Sequence, residues 1–199
     1  MTEEILFGDP SGGEVGPGAL PPDHLAALAE LSDRGIPFVL IGAVAVALTG
    51  ARRLTRDVDA MTREAAPAVE ALYARGFRVV SRPVASEPGA YAVFLEARTA
   101  VESIVRARAA SFKTIHERSR VEFDVWIGSP DEGRLPAAEI ERRAVPAEIG
   151  GLTVRRACAE DLLELKRIAL EADPERADRD LSDIRHLERY LHENGPEAR

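Results

Sequence analysis

The sequence predicts an α+β fold, a mixed β-sheet flanked by helices and closed by a C-terminal helical pair. Three observations carry this prediction. Short apolar runs alternate with helical periodicity over residues 23–80. A strand of strict period two, with Val121, Phe123, Val125 and Ile127 on one side and Glu122, Asp124 and Trp126 on the other, follows a charged turn. Two amphipathic helical patterns then end the chain. With 199 residues, 45% of them hydrophobic, one sizeable core with a small helical appendage is the expected size class.

Residues 1–22, dense in glycine and proline, read as a flexible leader. Asp23 is the expected N-cap of a helix carrying Leu25, Leu28 and Leu31 and stopped by Gly35. Ile36 to Ile41 is an uninterrupted apolar run, as in a buried strand. Gly42 breaks it, and Ala43 to Leu48 resumes as a short helix ending near Gly50. Val58 to Met61 reads as a strand, Ala65 to Arg75 as a helix closed by Gly76, and Phe77 to Val80 as a strand.

Between Pro88 and Ala110, the spacing of Ala92, Leu95, Thr99 and Val101 fits a helix better than alternation. Phe112 to His116 and Val121 to Ile127 form a hairpin about the turn Glu117 to Arg120. Pro136 to Arg142 is a short helix, and Gly150-Gly151 turns between two brief strands within Ala144 to Val154. Ala159 to Ala172 and Ala177 to His192 are the helical pair, the second with Leu181, Ile184, Leu187 and Leu191 as its stripe, and the acidic tail beyond is expected to fray. The organisation is thus a leader at 1–22, a core at 23–155 and C-terminal helices at 156–199 packed on that core.

Composition narrows function mostly by exclusion. A net charge of −8 and a pI near 5.2 argue against a general nucleic-acid-coating role, which needs a basic face. Cys158 is the single cysteine, so an internal disulfide and a cysteine-cluster zinc site are both excluded. The longest apolar run is too short to span a bilayer, and the start of the chain lacks a basic region with an apolar stretch. The expectation is a soluble, cytoplasmic protein with no membrane partner.

Asp57 and Asp59 flank Val58 at the head of a strand, so period two sets both carboxylates on one face. Two adjacent anions repel, and a hard divalent cation such as Mg²⁺ (or Mn²⁺) between them relieves the repulsion. A solvated loop mouth is the bland alternative for the pair taken alone. Upstream, Gly42 ends a strand and opens a helix, a backbone arrangement suited to phosphate. No Gly-Lys-Ser or Gly-Lys-Thr follows, and the three-glycine dinucleotide fingerprint is absent. Together the two features point to a metal-chelated triphosphate.

The string Ile41-Gly42-Ala43 with Ala45 and Gly50, then Arg53-x-Thr55-x-Asp57-x-Asp59, then Asp124 on a later strand, resembles the polymerase-beta-like nucleotidyltransferase superfamily. The resemblance is to its minimal bacterial branch, which includes abortive-infection nucleotidyltransferase toxins. It extends through Ala159-Glu160-Asp161-Leu162-Leu163 to Lys166 and Asp180-x-x-Asp183-Ile184, and so covers roughly residues 36 to 190. It implies the nucleotidyltransferase fold and a two-metal enzyme that transfers a nucleoside monophosphate from an NTP to an acceptor hydroxyl. The acceptor would be a tRNA end, a protein or a small molecule, and the chain could be the toxin of a toxin–antitoxin pair with a cognate antitoxin.

On that resemblance Asp57, Asp59 and Asp124 are the catalytic metal ligands, with Asp124 assisting deprotonation of the acceptor. Gly42, Ala43, Arg53, Thr55, Lys166 and Asp183 form the nucleotide site. Ala43 departs from the usual glycine or serine and removes a hydroxyl that could touch phosphate, while the Gly42 backbone contact survives. Lys166 emerges among Leu162, Leu165, Ala169 and Leu170 and reads equally as a phosphate contact or a snorkelling lysine. Asp183 could orient it by a charge pair, although a surface carboxylate is slightly favoured, and Asp180 is the weaker candidate. Arg52 and Arg56 read as surface residues and His116 as structural. Trp126 shares the face of Asp124 and is expected to pack under the C-terminal helices. The competing function is a catalytically inactive module of the same fold that binds or regulates. A metal-dependent hydrolase is weaker, because no histidine cluster accompanies the aspartates.

Overall fold

The structure is a computed structural model that describes residues 20–51, 55, 57–81, 93–173 and 177–197. The first helix, α1 (Pro22–Asp33), starts one residue before Asp23, with Pro22 in its first turn. The capping role expected of Asp23 is therefore corrected: proline presets the backbone dihedral there and lacks an N–H that would go unpaired. Leu20, placed in the leader by the sequence, is buried against the core, while residues 1–19 lie outside the described residues.

Strand β1 (Val39–Ile41) is shorter than the apolar run that announces it. The run's first residues serve other ends, because Ile36 donates its N–H to the Leu31 carbonyl and Pro37 accepts a hydrogen bond from Thr62. Then come α2 (Gly42–Ala47), β2 (Asp57–Thr62), α3 (Ala65–Ala74) and β3 (Phe77–Ser81), in the expected order. The next segment departs from expectation. A two-residue strand, β4 (Val93–Phe94), precedes α4 (Ala97–Ala107), and the Leu95 N–H bonds the Val79 carbonyl 3.0 Å away. Leu95 thus extends a ladder rather than a helix, since the otherwise open edge of β3 has backbone groups to satisfy.

The hairpin of β5 (Ser111–His116) and β6 (Glu122–Ile127) is followed by α5 (Ala137–Arg143), β7 (Val145–Ile149) and β8 (Leu152–Arg156). Gly150 and Gly151 have φ of +56° and +80°, which a two-residue turn matched to strand twist requires. The pair α6 (Ala159–Ala172) and α7 (Ala177–Asn194) closes the chain. The expected fraying of the tail is corrected at Glu197, whose carboxylate accepts from Arg156 at 2.6 and 2.9 Å, from the Ala159 N–H at 2.8 Å and from Tyr190 at 2.7 Å. A buried arginine fork and an otherwise unpaired helix N–H give the tail a fixed seat.

Among the described residues the strands form one eight-stranded mixed sheet in the order β4-β3-β5-β6-β2-β1-β8-β7. The central pair β2·β6 is parallel, as is β1·β8, and the remaining neighbours are antiparallel. Its faces differ in kind. Val58, Ala60, Phe123 and Val125 are fully buried on one face, where α1 sets His24 against Phe77 and Phe123. Burying each phenyl ring there is worth about 2–3 kcal/mol. The same burial pushes His24 down to about 4, so the ring is neutral at pH 7, with Nε2 bonded to the Glu122 carbonyl 2.7 Å away. The opposite face carries Asp57, Asp59, Asp124 and Trp126, and α6 lies over part of it.

Candidate functional site

Strand pairing assembles the site. In the β2·β6 register Asp59 lies opposite Asp124 and Asp57 opposite Glu122, while β1 sets Ile41, and hence Gly42, beside Asp59. Carboxylate oxygens of Asp57, Asp59 and Asp124 all lie within 4.8 Å of one another. Half-buried between its neighbours, Asp59 is pushed up to about 7, first by desolvation and then by the charges of Asp57 and Asp124; Lys166 and the Trp126 indole pull the other way. Asp124 rises to about 6 by burial, against the opposing pull of Lys113.

Gly42 is fixed by two separate demands. Its φ is +66°, and a Cβ there would lie 2.1 Å from Asp59 Oδ2. The glycine therefore admits the Asp59 carboxylate against the chain, in addition to opening α2. A Gly42→Ala variant is expected to displace Asp59, to cost about 1–3 kcal/mol of stability and to weaken Mn²⁺ binding. Thermal melting alongside a Mn²⁺ titration checks this, and an unchanged affinity would refute the role given to the close approach.

The other sequence candidates fall in different places. Thr55 donates its hydroxyl to Asp57 Oδ1 at 2.5 Å, so it orients a carboxylate. Ala43 is buried in the first turn of α2. Arg52, Arg53 and Arg56 lie outside the described residues. Lys166 is buried, its ammonium 3.0 Å from Asp180 Oδ1 and 2.8 Å from Asp183 Oδ2. Both aspartates are buried as well, so neither is the surface helix carboxylate that the spacing favours. His116 holds the hairpin turn through Ser119 and packs on Phe77.

Two residues at the site, Lys113 and Glu122, escaped the sequence. Lys113, opposite Asp124 on β5, lies 3.3 Å from Asp124 Oδ2 and also pairs with Glu122. A signal existed: a hairpin closing at His116 and Val121 brings Lys113 level with Asp124, each three residues along its strand.

A cleft of ≈ 290 Å³ opens beside the carboxylates. It runs from Gly42 and Asp59 past Trp126 to Leu165, Ile168 and Ala172 of α6, with Lys166 and Asp180 in its lining. Trp126 thus lies beneath α6, as its strand position implies. Hard oxygen donors at this spacing fit a divalent cation, and Asp124 Oδ1 is buried with no hydrogen-bond partner among the described residues.

Solved structures share this architecture. The lincosamide antibiotic adenylyltransferase LnuA, bound to lincomycin, matches over 85% of this chain and 96% of its own, with 11% identity and a TM-score of 0.52. The chain has the nucleotidyltransferase fold. ANT(2")-Ia in complex with adenylyl-2"-tobramycin matches this nucleotidyltransferase fold over 82% of the chain and 84% of its own, at 15% identity and a TM-score of 0.54. An antigenic nucleotidyltransferase-like protein from Paracoccidioides brasiliensis covers 83% of the chain and 74% of its own, at 16% identity and a TM-score of 0.50. No protein-family model matches the sequence, and a comparison with curated proteins finds no match.

Proposed function

We propose that the protein is a metal-dependent nucleotidyltransferase that moves a nucleoside monophosphate from an NTP to an acceptor hydroxyl and releases pyrophosphate. The observation that carries this is the convergence of Asp57, Asp59 and Asp124 on one face of the sheet, beside Gly42 and the mouth of a cleft. A divalent ion held by the three carboxylates would supply positive charge to the α-phosphoryl group and the attacking oxygen. Asp124, at the edge of the group, accepts the proton of the acceptor hydroxyl. Lys166 donates to Asp180 and lies within ion-pair distance of Asp183, and its ammonium in the cleft lining serves the β- and γ-phosphates together with the Gly42 backbone. Asp183 holds that ammonium in place. Arg53 adds charge to the triphosphate site and Thr55 steadies Asp57.

The favoured acceptor is a small molecule. A net charge of −8 repels RNA, and the enzymes of matching fold include one bound to lincomycin and one bound to an adenylylated tobramycin. No described helix is long and apolar enough to cross a membrane. The second reading, an inactive binding module, draws on Ala43 and on the two carboxylates that already hold Lys166.

The test incubates the protein and Mg²⁺ with each α-labelled NTP, a panel of hydroxyl-bearing antibiotics and a cell extract. Label is expected on a small molecule, with Asp57→Ala lowering transfer at least ~10³-fold. Label on RNA would point instead to a toxin with a neutralising partner. If no nucleotide is consumed with any acceptor, and Asp57→Ala leaves Mg-NTP affinity unchanged, the enzyme reading fails.

A further inference from the structure

Lys113 is one of only two lysines in the chain, and it stands at the edge of the carboxylate group. Strand order explains its place. Because β6 lies between β5 and β2, Asp124 has Lys113 on one side and Asp59 on the other. Its two oxygens are used unequally: Oδ2 faces the ammonium at 3.3 Å, whereas Oδ1 is buried and has no hydrogen-bond partner among the described residues. Lys113 is itself tethered, since Glu122 binds the same ammonium from the neighbouring position of that face. Glu122 thus holds Lys113, and Lys113 holds one oxygen of Asp124.

We propose that Lys113, anchored by Glu122, is a positioning residue for Asp124, occupying Oδ2 so that Oδ1 is aimed at Asp57 and Asp59. The ammonium also repels a cation from the outer side of Asp124, confining metal to the space among the three aspartates. This rests on the reading of those aspartates as the metal and transfer site. Its two parts act in opposite directions when the lysine is lost. Removing a positive charge near the site tightens metal binding, whereas releasing Asp124 to rotate slows the step that needs a fixed oxygen. General damage to the fold would instead weaken both.

The experiment titrates the metal-free protein with Mn²⁺, following the free ion by its paramagnetic resonance signal, and separately measures NTP turnover at saturating Mg²⁺. Lys113→Met is expected to bind Mn²⁺ about threefold or more tighter. Its kcat should fall about tenfold, with KM for NTP within about twofold of wild type. Lys113→Arg, which keeps the charge and can fork between Glu122 and Asp124, restores Mn²⁺ affinity to within about 1.5-fold and kcat to within about threefold. Unchanged Mn²⁺ affinity in Lys113→Met, or unchanged kcat, overturns the proposal, as does a joint fall in metal binding, turnover and melting temperature. A wild-type chain that binds Mn²⁺ but turns over no NTP overturns the transfer reading, and Mn²⁺ binding then decides whether Lys113 faces the metal.

Discussion

Asp59→Asn is expected to abolish transfer while making the metal-free protein more stable. Asp59 is a half-buried carboxylate beside two others, raised from its ordinary value of 3.8 to about 7. Such a group holds its proton in the folded chain after the unfolded chain has released it. Its contribution to stability is therefore full below pH 4 and is lost as pH rises to about 7, with Asp124 acting in the same sense up to about 6. A tenfold change in proton affinity between the folded and unfolded chain corresponds to about 1.4 kcal/mol, so at pH 8 the ionised cluster strains the metal-free fold appreciably. An asparagine of the same shape removes that charge, and melting in chelator at pH 8 should rise by about 5 °C or more.

The wild type should also melt at a lower temperature at pH 8 than at pH 5.5 in chelator, and Asp59→Asn should flatten that slope. Added Mg²⁺ or Mn²⁺ reverses the order. It stabilises the wild type and releases protons as it binds, whereas the variant gains little. Transfer by the variant should fall by at least ~10³-fold. If Asp59→Asn melts with the wild type in chelator at pH 8, the buried repulsion assigned to this cluster is wrong.

The sequence exposed those parts of the site that lie along one strand or one turn. Asp57 and Asp59 share a face because a strand has period two, and that holds wherever the strand sits in the sheet. Gly42 was legible as a break between strand and helix, but its second demand was not, since the approach of Asp59 depends on the pairing of β1 with β2. The short β4 was hidden because two residues carry no periodicity; only the open edge of β3 makes a strand of them. Glu197 looked like a frayed tail because its partners, Arg156 and Tyr190, are distant in sequence or on another element. Asp180 and Asp183 resembled surface helix residues because a carboxylate stripe and a buried ion cluster share the same spacing until a lysine on another helix arrives.

That lysine sets the second large effect. Lys166 on α6 is buried with Asp180 and Asp183 of α7, its ammonium within ion-pair distance of both carboxylates. Lys166→Met keeps the length of the side chain and its apolar packing but takes the ammonium away from buried Asp180 and from Asp183. Breaking a buried pair in this way costs about 3–5 kcal/mol. In a chain of this size that lowers the melting temperature by about 10 °C. Neutralising the partners as well, in Lys166→Met with Asp180→Asn and Asp183→Asn, should recover most of the stability at pH 8. NTP affinity should stay low in that triple variant, since the ammonium in the cleft lining is still missing. Thermal melts at pH 8 with NTP titrations separate the two roles. Full stability in Lys166→Met would show that the helices do not depend on the charge cluster, and full NTP affinity in the restored triple variant would remove Lys166 from the phosphate site.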